Sequence, residues 1–167
     1  MSKTTQNLKD AFSGESQAHR TYLAFAKKAE QEGLSQVAKL FRAAAYAETV
    51  HALNHLAIIG KTKSSLENLK TAVSGETFEF NEMYPKYIET AKQEGNKKAK
   101  WSFDVANKVE KIHAKLFSKA IEALEGDKMP TNTDYYVCEV CGNTVEGAAP
   151  ETCPICGATK KEFKLIQ

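Results

Sequence analysis

The pattern Glu-x-x-His occurs twice in this chain, at Glu48 and His51 and again at Glu110 and His113. Both copies sit at the same place in what reads as a duplicated helical hairpin. Ala29-Glu30-Gln31-Glu32-Gly33 returns as Ala91-Lys92-Gln93-Glu94-Gly95, and after each glycine the Glu comes 15 residues later and the His 18. Residues three apart share a helix face. Here each pair falls on the apolar seam: Val37, Phe41, Ala44, Glu48, His51, His55, Ile58 in one helix, and Phe103, Ala106, Glu110, His113, Phe117, Ala120 in the other. Any fold for this chain must therefore gather acids and imidazoles on an apolar face.

From about Thr4 to Glu125 the sequence is poor in Pro, and its apolar residues recur at three and four, so this part is helical. The first helix carries Leu8, Phe12, Tyr22, Ala26 and Ala29 on one stripe and ends at Gly33. Ser35 is expected to cap the second, which stops at Gly60; a connector with Ser64 and Ser65 follows. A third helix is expected from about Ser74-Gly75-Glu76-Thr77 to Gly95, kinked at Pro85. The fourth spans Asn96 to Glu125. Four amphipathic helices bury their stripes most economically as an antiparallel four-helix bundle. The expected organisation is a bundle over 1–126, a polar linker over 127–134 and a separate module over 135–167.

On the bundle seams Glu15, Glu48, Glu110 and the pair Glu79 and Glu82 bring five carboxylates towards His51 and His113. Buried carboxylates repel one another and cost several kcal/mol each unless a cation compensates them. Two ferrous ions leave a net charge of minus one, and two ferric ions with one oxide leave the same. Carboxylate and imidazole donors favour iron or manganese over magnesium and over four-coordinate zinc. A Glu from each of two helices with Glu-x-x-His from two others is the pattern of dimetal bundles. His55 reads as a core residue beside the ligands, and His19 as facing solvent or a neighbouring helix. Tyr22 and Tyr87 lie near the acids by helical spacing and read first as packing, with Tyr22 able to stand behind the ligands.

All four cysteines fall in the last module, as Cys138-Glu139-Val140-Cys141-Gly142 and Cys153-Pro154-Ile155-Cys156-Gly157. Thirty-three residues are too few to fold on apolar burial alone. Two C-x-x-C-G knuckles make a tetrathiolate metal site, to be preferred to two disulfides in a reducing compartment. Zinc and iron both accept four thiolates; a redox-capable dimetal site in the same chain gives a one-electron iron centre a use.

Lys and Arg total 23 against 21 Asp and Glu, and a formal charge of +2 makes no case for nucleic acid or an anionic membrane as partner. No apolar run reaches the roughly 18 to 20 residues of a membrane helix, and the first residues lack the apolar core of a secretory signal. The cytoplasm is the expected location.

Gly14-Glu15-Ser16-Gln17-Ala18, Ala47-Glu48-Thr49-Val50-His51, Glu79-Phe80-Asn81-Glu82-Met83-Tyr84-Pro85, Glu110-Lys111-Ile112-His113 and the terminal paired C-x-x-C-G together resemble the rubrerythrin family. The resemblance implies a ferritin-like di-iron bundle followed by a β-rich, rubredoxin-like domain. Its implied di-iron ligands are Glu15, Glu48, Glu79, Glu82, Glu110 and His113, with His51 and Glu82 exchanging on one iron; Cys138, Cys141, Cys153 and Cys156 would hold a single iron. Zinc or manganese can take the place of iron. The implied activity is reduction of hydrogen peroxide to water, with electrons passing from an external donor, a rubredoxin or an NAD(P)H-dependent reductase, through the single iron. A head-to-tail homodimer is also implied. A ferroxidase is the alternative enzyme, and a helical scaffold with a zinc ribbon the alternative without catalysis. Glu15 lies 18 residues before its glycine, whereas Glu79 and Glu82 lie 16 and 13 before theirs, which departs from strict symmetry.

Overall fold

A computed structural model describes residues 2–126, 128 and 132–167. The chain is mostly helical, with a small antiparallel sheet at its end. It divides into two compact units, Met1–Lys63 and Ser64–Gln167.

The first unit is a hairpin of α1 (Lys3–Gln31) and α2 (Ser35–Ile59). Its turn is a Schellman motif: Leu34 N–H bonds the Ala29 carbonyl at 2.8 Å, Gly33 N–H bonds that of Glu30 at 3.0 Å, and Gly33 has φ 76°. Leu34 therefore becomes the residue preceding α2, and Ser35 is its first helical residue rather than its cap. The two helices meet through small side chains, Ala26 and Ala29 against Ala38, Ala45 and Ala52, all buried. That buried line is not the expected seam of α2, since Val37 and Ile58 are exposed. Alanine contacts let the backbones approach closely, so His19 on α1 reaches α2, its Nδ1 lying 2.8 Å from the Ala45 carbonyl and 2.9 Å from Thr49 Oγ1.

The second unit opens with α3 (Ser65–Phe78). Ser64 and Glu67 form a capping box, each side chain bonding the other's backbone N–H, so Ser64 and Ser65 begin a helix rather than a connector. A π turn, Glu79–Met83, follows and runs into α4 (Tyr84–Gln93). Pro85 then occupies the start of α4, where its missing N–H is tolerated, and the extra residue of the π turn stands in place of a proline kink. The second Schellman turn repeats the first, with Asn96 N–H on the Ala91 carbonyl at 2.8 Å and Gly95 at φ 68°, and leads into α5 (Lys97–Glu125). Val105, Val109 and Ala114 are the buried apolar residues of α5. Aromatic rings fill the contact between α4 and α5, with Phe103 5.6 Å from Tyr87 and 6.3 Å from Tyr84.

The same unit carries a three-stranded sheet, β1 (Tyr135–Cys138), β2 (Thr144–Glu146) and β3 (Phe163–Ile166), in the order β2-β1-β3. Tyr136 pairs with Val145 on one side and Leu165 on the other. Of the expected linker, residues 127 and 129–131 lie outside the described residues. Lys119 on α5 bonds Glu146 on β2 at 2.7 Å, so the sheet is seated on the helix within this unit. Among the described residues no helix is long and apolar enough to cross a membrane.

Candidate metal centres

Each hairpin gathers one Glu-x-x-His pair and one further carboxylate. In the first unit Glu48 and His51 on α2 are joined by Glu15 from α1; in the second, Glu110 and His113 on α5 are joined by Glu76 from α3. Within each group one donor atom per residue lies within 4.8 Å of the others, close enough for one ion to be shared. In both pairs the helix geometry turns the histidine Nδ1 towards its own glutamate, at 2.9 Å from Glu48 Oε2 and 2.7 Å from Glu110 Oε2. Nδ1 of His113 also lies 3.9 Å from Glu76.

Glu76 was not among the acids named from the sequence, and its position resolves the apparent asymmetry. It lies 19 residues before Gly95, where Glu15 lies 18 before Gly33, and the π turn between Glu76 and Gly95 inserts one residue. Allowing for that insertion, Glu15 and Glu76 are equivalent. The sequence carries the signal in another form, as Ser13-Gly14-Glu15-Ser16 and Ser74-Gly75-Glu76-Thr77.

Of the two acids named on the third helix, Glu79 stays coupled to the group. Burial raises its carboxyl above the ordinary range, as does the charge of Glu110, while His113 lowers it. Neither acid belongs to the two three-residue groups themselves, and the Glu82 carboxylate pairs with Lys86 at 3.1 Å and is 55% exposed. A tyrosine also emerges that the sequence reading passed over. Tyr84, at the end of the π turn, has its hydroxyl pushed up by burial and then by Glu110, Glu79 and Glu76. Tyr22 instead packs with Phe25 and Phe41, at 6.4 and 6.1 Å, and His55 belongs to neither group.

The electrostatics of the second group are those of a site short of positive charge. Glu76 is pushed up to about 7, first by burial, then by sharing a hydrogen bond with Glu110 and by the charges of Glu110 and Glu79. Two carboxylates in hydrogen-bond contact must share a proton or a cation. A divalent ion supplies what the proton otherwise does, and the donor set, oxygen with imidazole nitrogen, fits iron or manganese. An open cavity of about 530 Å³, lined by Leu69, Glu76, His113, Phe117, Tyr135 and Thr144 among others, leads to these side chains.

The four cysteines converge in the tail without a disulfide. Sγ of Cys138 lies 3.8 Å from that of Cys156, and Sγ of Cys141 lies 3.6 Å from that of Cys153. A tetrahedral ion with metal–sulfur bonds of about 2.3 Å places its sulfurs about 3.8 Å apart, so the cage fits a tetrathiolate ion. Gly142 and Gly157, at φ 81° and 80°, make the knuckle turns. Burial raises the Cys153 thiol, but the backbone N–H groups of Cys156 and Ile155 outweigh it, with Cys156 and Cys141 adding to them, and bring it down to about 7. The fully buried Asn143 adds its side-chain amide, 3.7 Å from Cys153 Sγ. Donors aimed at sulfur stabilise thiolate and tune a bound metal.

Known proteins resemble this chain in sequence and in fold. The family model described as Rubrerythrin matches residues 6–121, and that described as Rubrerythrin, rubredoxin-like domain matches 136–164. Rubrerythrin-2 of Clostridium acetobutylicum is 38% identical, over 98% of this chain and 96% of its own. Nigerythrin of Nitratidesulfovibrio vulgaris is 34% identical, over 96% and 85%. Structures of nigerythrin in a partially reduced and a fully reduced, all-ferrous state each align with TM-score 0.58 at 33% identity, covering 99% of this chain and 88% of theirs. With a carboxylate–histidine group in each of two hairpins, a four-cysteine cage later in the sequence and both family models matched in the same order, the chain belongs to the rubrerythrin family, whose members bind iron at a di-iron site and a rubredoxin-like site.

Proposed function

We propose that this protein reduces hydrogen peroxide to water at a di-iron centre recharged through the four-cysteine iron. The observation that carries the reading is the pair of matched groups, Glu15, Glu48, His51 and Glu76, Glu110, His113, in one chain with a tetrathiolate cage. Each group alone has too few donors for two ions. In charge the four carboxylates of the two groups balance two ferrous ions, with one imidazole for each, and we propose that the protein works as a homodimer. When bound, the ferrous pair supplies two electrons together to the O–O bond.

The chain's own residues supply the rest. Reduction of peroxide to two waters consumes two protons, and Glu79 and Tyr84, whose carboxyl and hydroxyl are both raised by burial and then by the charge of Glu110, stand beside Glu110 to deliver them. Glu79 rather than Glu82 is the acid we propose as the redox-dependent ligand, because it feels the charges of Glu110 and His113 while Glu82 is engaged by Lys86. The backbone and Asn143 donors around the cysteines favour the reduced, thiolate-bound ion that passes electrons on, and an external donor of rubredoxin type or an NAD(P)H-dependent reductase would refill it.

Stopped-flow mixing of the anaerobically reduced, iron-loaded protein with peroxide and, separately, with oxygen tests the reading. Oxidation is expected to be much faster with peroxide. A faster reaction with oxygen would make the protein a ferroxidase, and one zinc per chain with no bound iron would leave a helical scaffold with a zinc ribbon.

A further inference from the structure

One hydrogen-bond chain joins the two kinds of metal site inside the second unit. His113 Nε2 lies 3.0 Å from Thr144 Oγ1, and that hydroxyl lies 3.1 Å from the Gly142 carbonyl, the residue after Cys141. A carbonyl only accepts, and a hydroxyl has a single hydrogen to give. If the Thr144 hydrogen went to His113, two oxygens would face each other with no hydrogen between them. The hydroxyl therefore donates to Gly142 and accepts from Nε2–H. That fixes the ring, leaving Nδ1 to face Glu110 at 2.7 Å and Glu76 at 3.9 Å.

Thr144 is held for this task by the sulfur knuckle. It follows Asn143 and opens β2, where it pairs with Val137 of β1. The Asn143 carbonyl accepts from Cys138 N–H at 2.9 Å, and Gly142 N–H bonds the Cys138 carbonyl at 2.8 Å. A methyl in place of the Gly142 hydrogen would touch Val109 of α5 at 3.9 Å, so the knuckle backbone lies directly on the helix that carries Glu110 and His113. The ion pair of Lys119 with Glu146 pins the same strand two residues on.

We propose that Thr144 is the positioning residue for His113, so that the imidazole donor of the second carboxylate–histidine group is set in place by the folded four-cysteine module. An ion in the cysteine cage fixes residues 138–144, these fix Thr144, and Thr144 fixes the face of His113 offered to the carboxylate site. The first group has no such partner among the described residues: His51 is exposed and bonded to Glu48 alone. The proposal rests on the metal-binding reading of the Glu and His groups. Partners of this kind typically change metal affinity by tenfold to a hundredfold when removed.

The test uses full-length protein with zinc in the cysteine cage, titrated with cobalt(II), whose visible bands report the carboxylate–histidine site. Thr144→Val should weaken cobalt binding there by about tenfold to a hundredfold, while Thr144→Ser, which keeps the hydroxyl, should bind as the wild type does. In nitrogen-resolved NMR of the zinc-loaded wild type, the His113 Nε2–H should be visible and slow to exchange, and in Thr144→Val it should be lost to solvent exchange. Equal cobalt affinity in all three proteins overturns the proposal. A rapidly exchanging Nε2–H in the wild type overturns it too, even if Thr144→Val fails to hold its zinc. If the wild type binds no cobalt outside the cysteines, the di-iron reading fails, and the NMR signal still decides on Thr144.

Discussion

At the scale of single residues, the site turns on which acid of the third helical rod takes part in the chemistry. Glu79 is coupled to Glu110 and His113, whereas Glu82 is half-exposed and held by Lys86. Glu79→Ala should lower steady-state peroxide turnover about a hundredfold or more, the range usual for loss of a positioned proton-transfer group, and Glu82→Ala should stay within about twofold; peroxide-consumption assays on iron-matched samples decide between them. This distinction was only partly legible in the sequence. Glu48, His51, Glu110 and His113 could be read because two equal offsets from two glycines leave little freedom, and the cysteines because four thiols fell within nineteen residues. Glu76 could not be read by counting, since a one-residue insertion shifts it against its counterpart Glu15. Tyr84 was hidden for a related reason. Its place beside the acids depends on the direction in which α4 leaves the π turn, which spacing alone does not give.

At the scale of elements, the π turn is what places Glu76 opposite His113 while allowing Pro85 to start a new helix. Wide turns of this kind cluster at functional sites because they rotate the flanking faces against each other. Deleting Asn81 would restore an uninterrupted α-helical register and turn α3 by about 100° relative to α4, given 3.6 residues per turn. The expected result is loss of iron from the carboxylate–histidine site with the tail metal retained, read by metal analysis and by the thiolate absorption bands. The beginning of α3 teaches a different lesson. Its apolar periodicity is weak, so a search for a stripe starts the helix near Ser74. The true signal was the capping box of Ser64 and Glu67, a local hydrogen-bond pattern visible in the sequence yet easily taken for a serine-rich connector. The hairpin turns, by contrast, were plain, because the repeated Ala-x-x-x-Gly encodes two Schellman motifs.

At the scale of the whole molecule, proton and metal compete for the same charges. Glu76 holds its proton in the folded, metal-free protein up to about pH 7, against an ordinary value of 4.5. The folded state therefore binds more protons than the unfolded one between these values, and its stability falls as pH rises through that window. Below pH 4.5 and above pH 7 this group adds no further slope. Metal-free wild-type protein should lose stability between pH 5 and 7 relative to Glu76→Gln, and iron loading should remove the difference; thermal unfolding midpoints at the two pH values measure it. Binding of the metal near pH 6 should accordingly release protons, from Glu76 and from the cysteine thiols together.

The seating of the sheet on α5 also bears on how such a protein can be recombined. Residues 64–167 behave as one inheritable block, because His113 with Thr144 and Lys119 with Glu146 tie the sulfur module to the second hairpin. A chimaera joined between Lys63 and Ser64 would carry both bonds across intact. One joined in the polar stretch after Gly126, the natural place to cut by eye, would transplant a well-formed knuckle onto a helix never shaped to receive it.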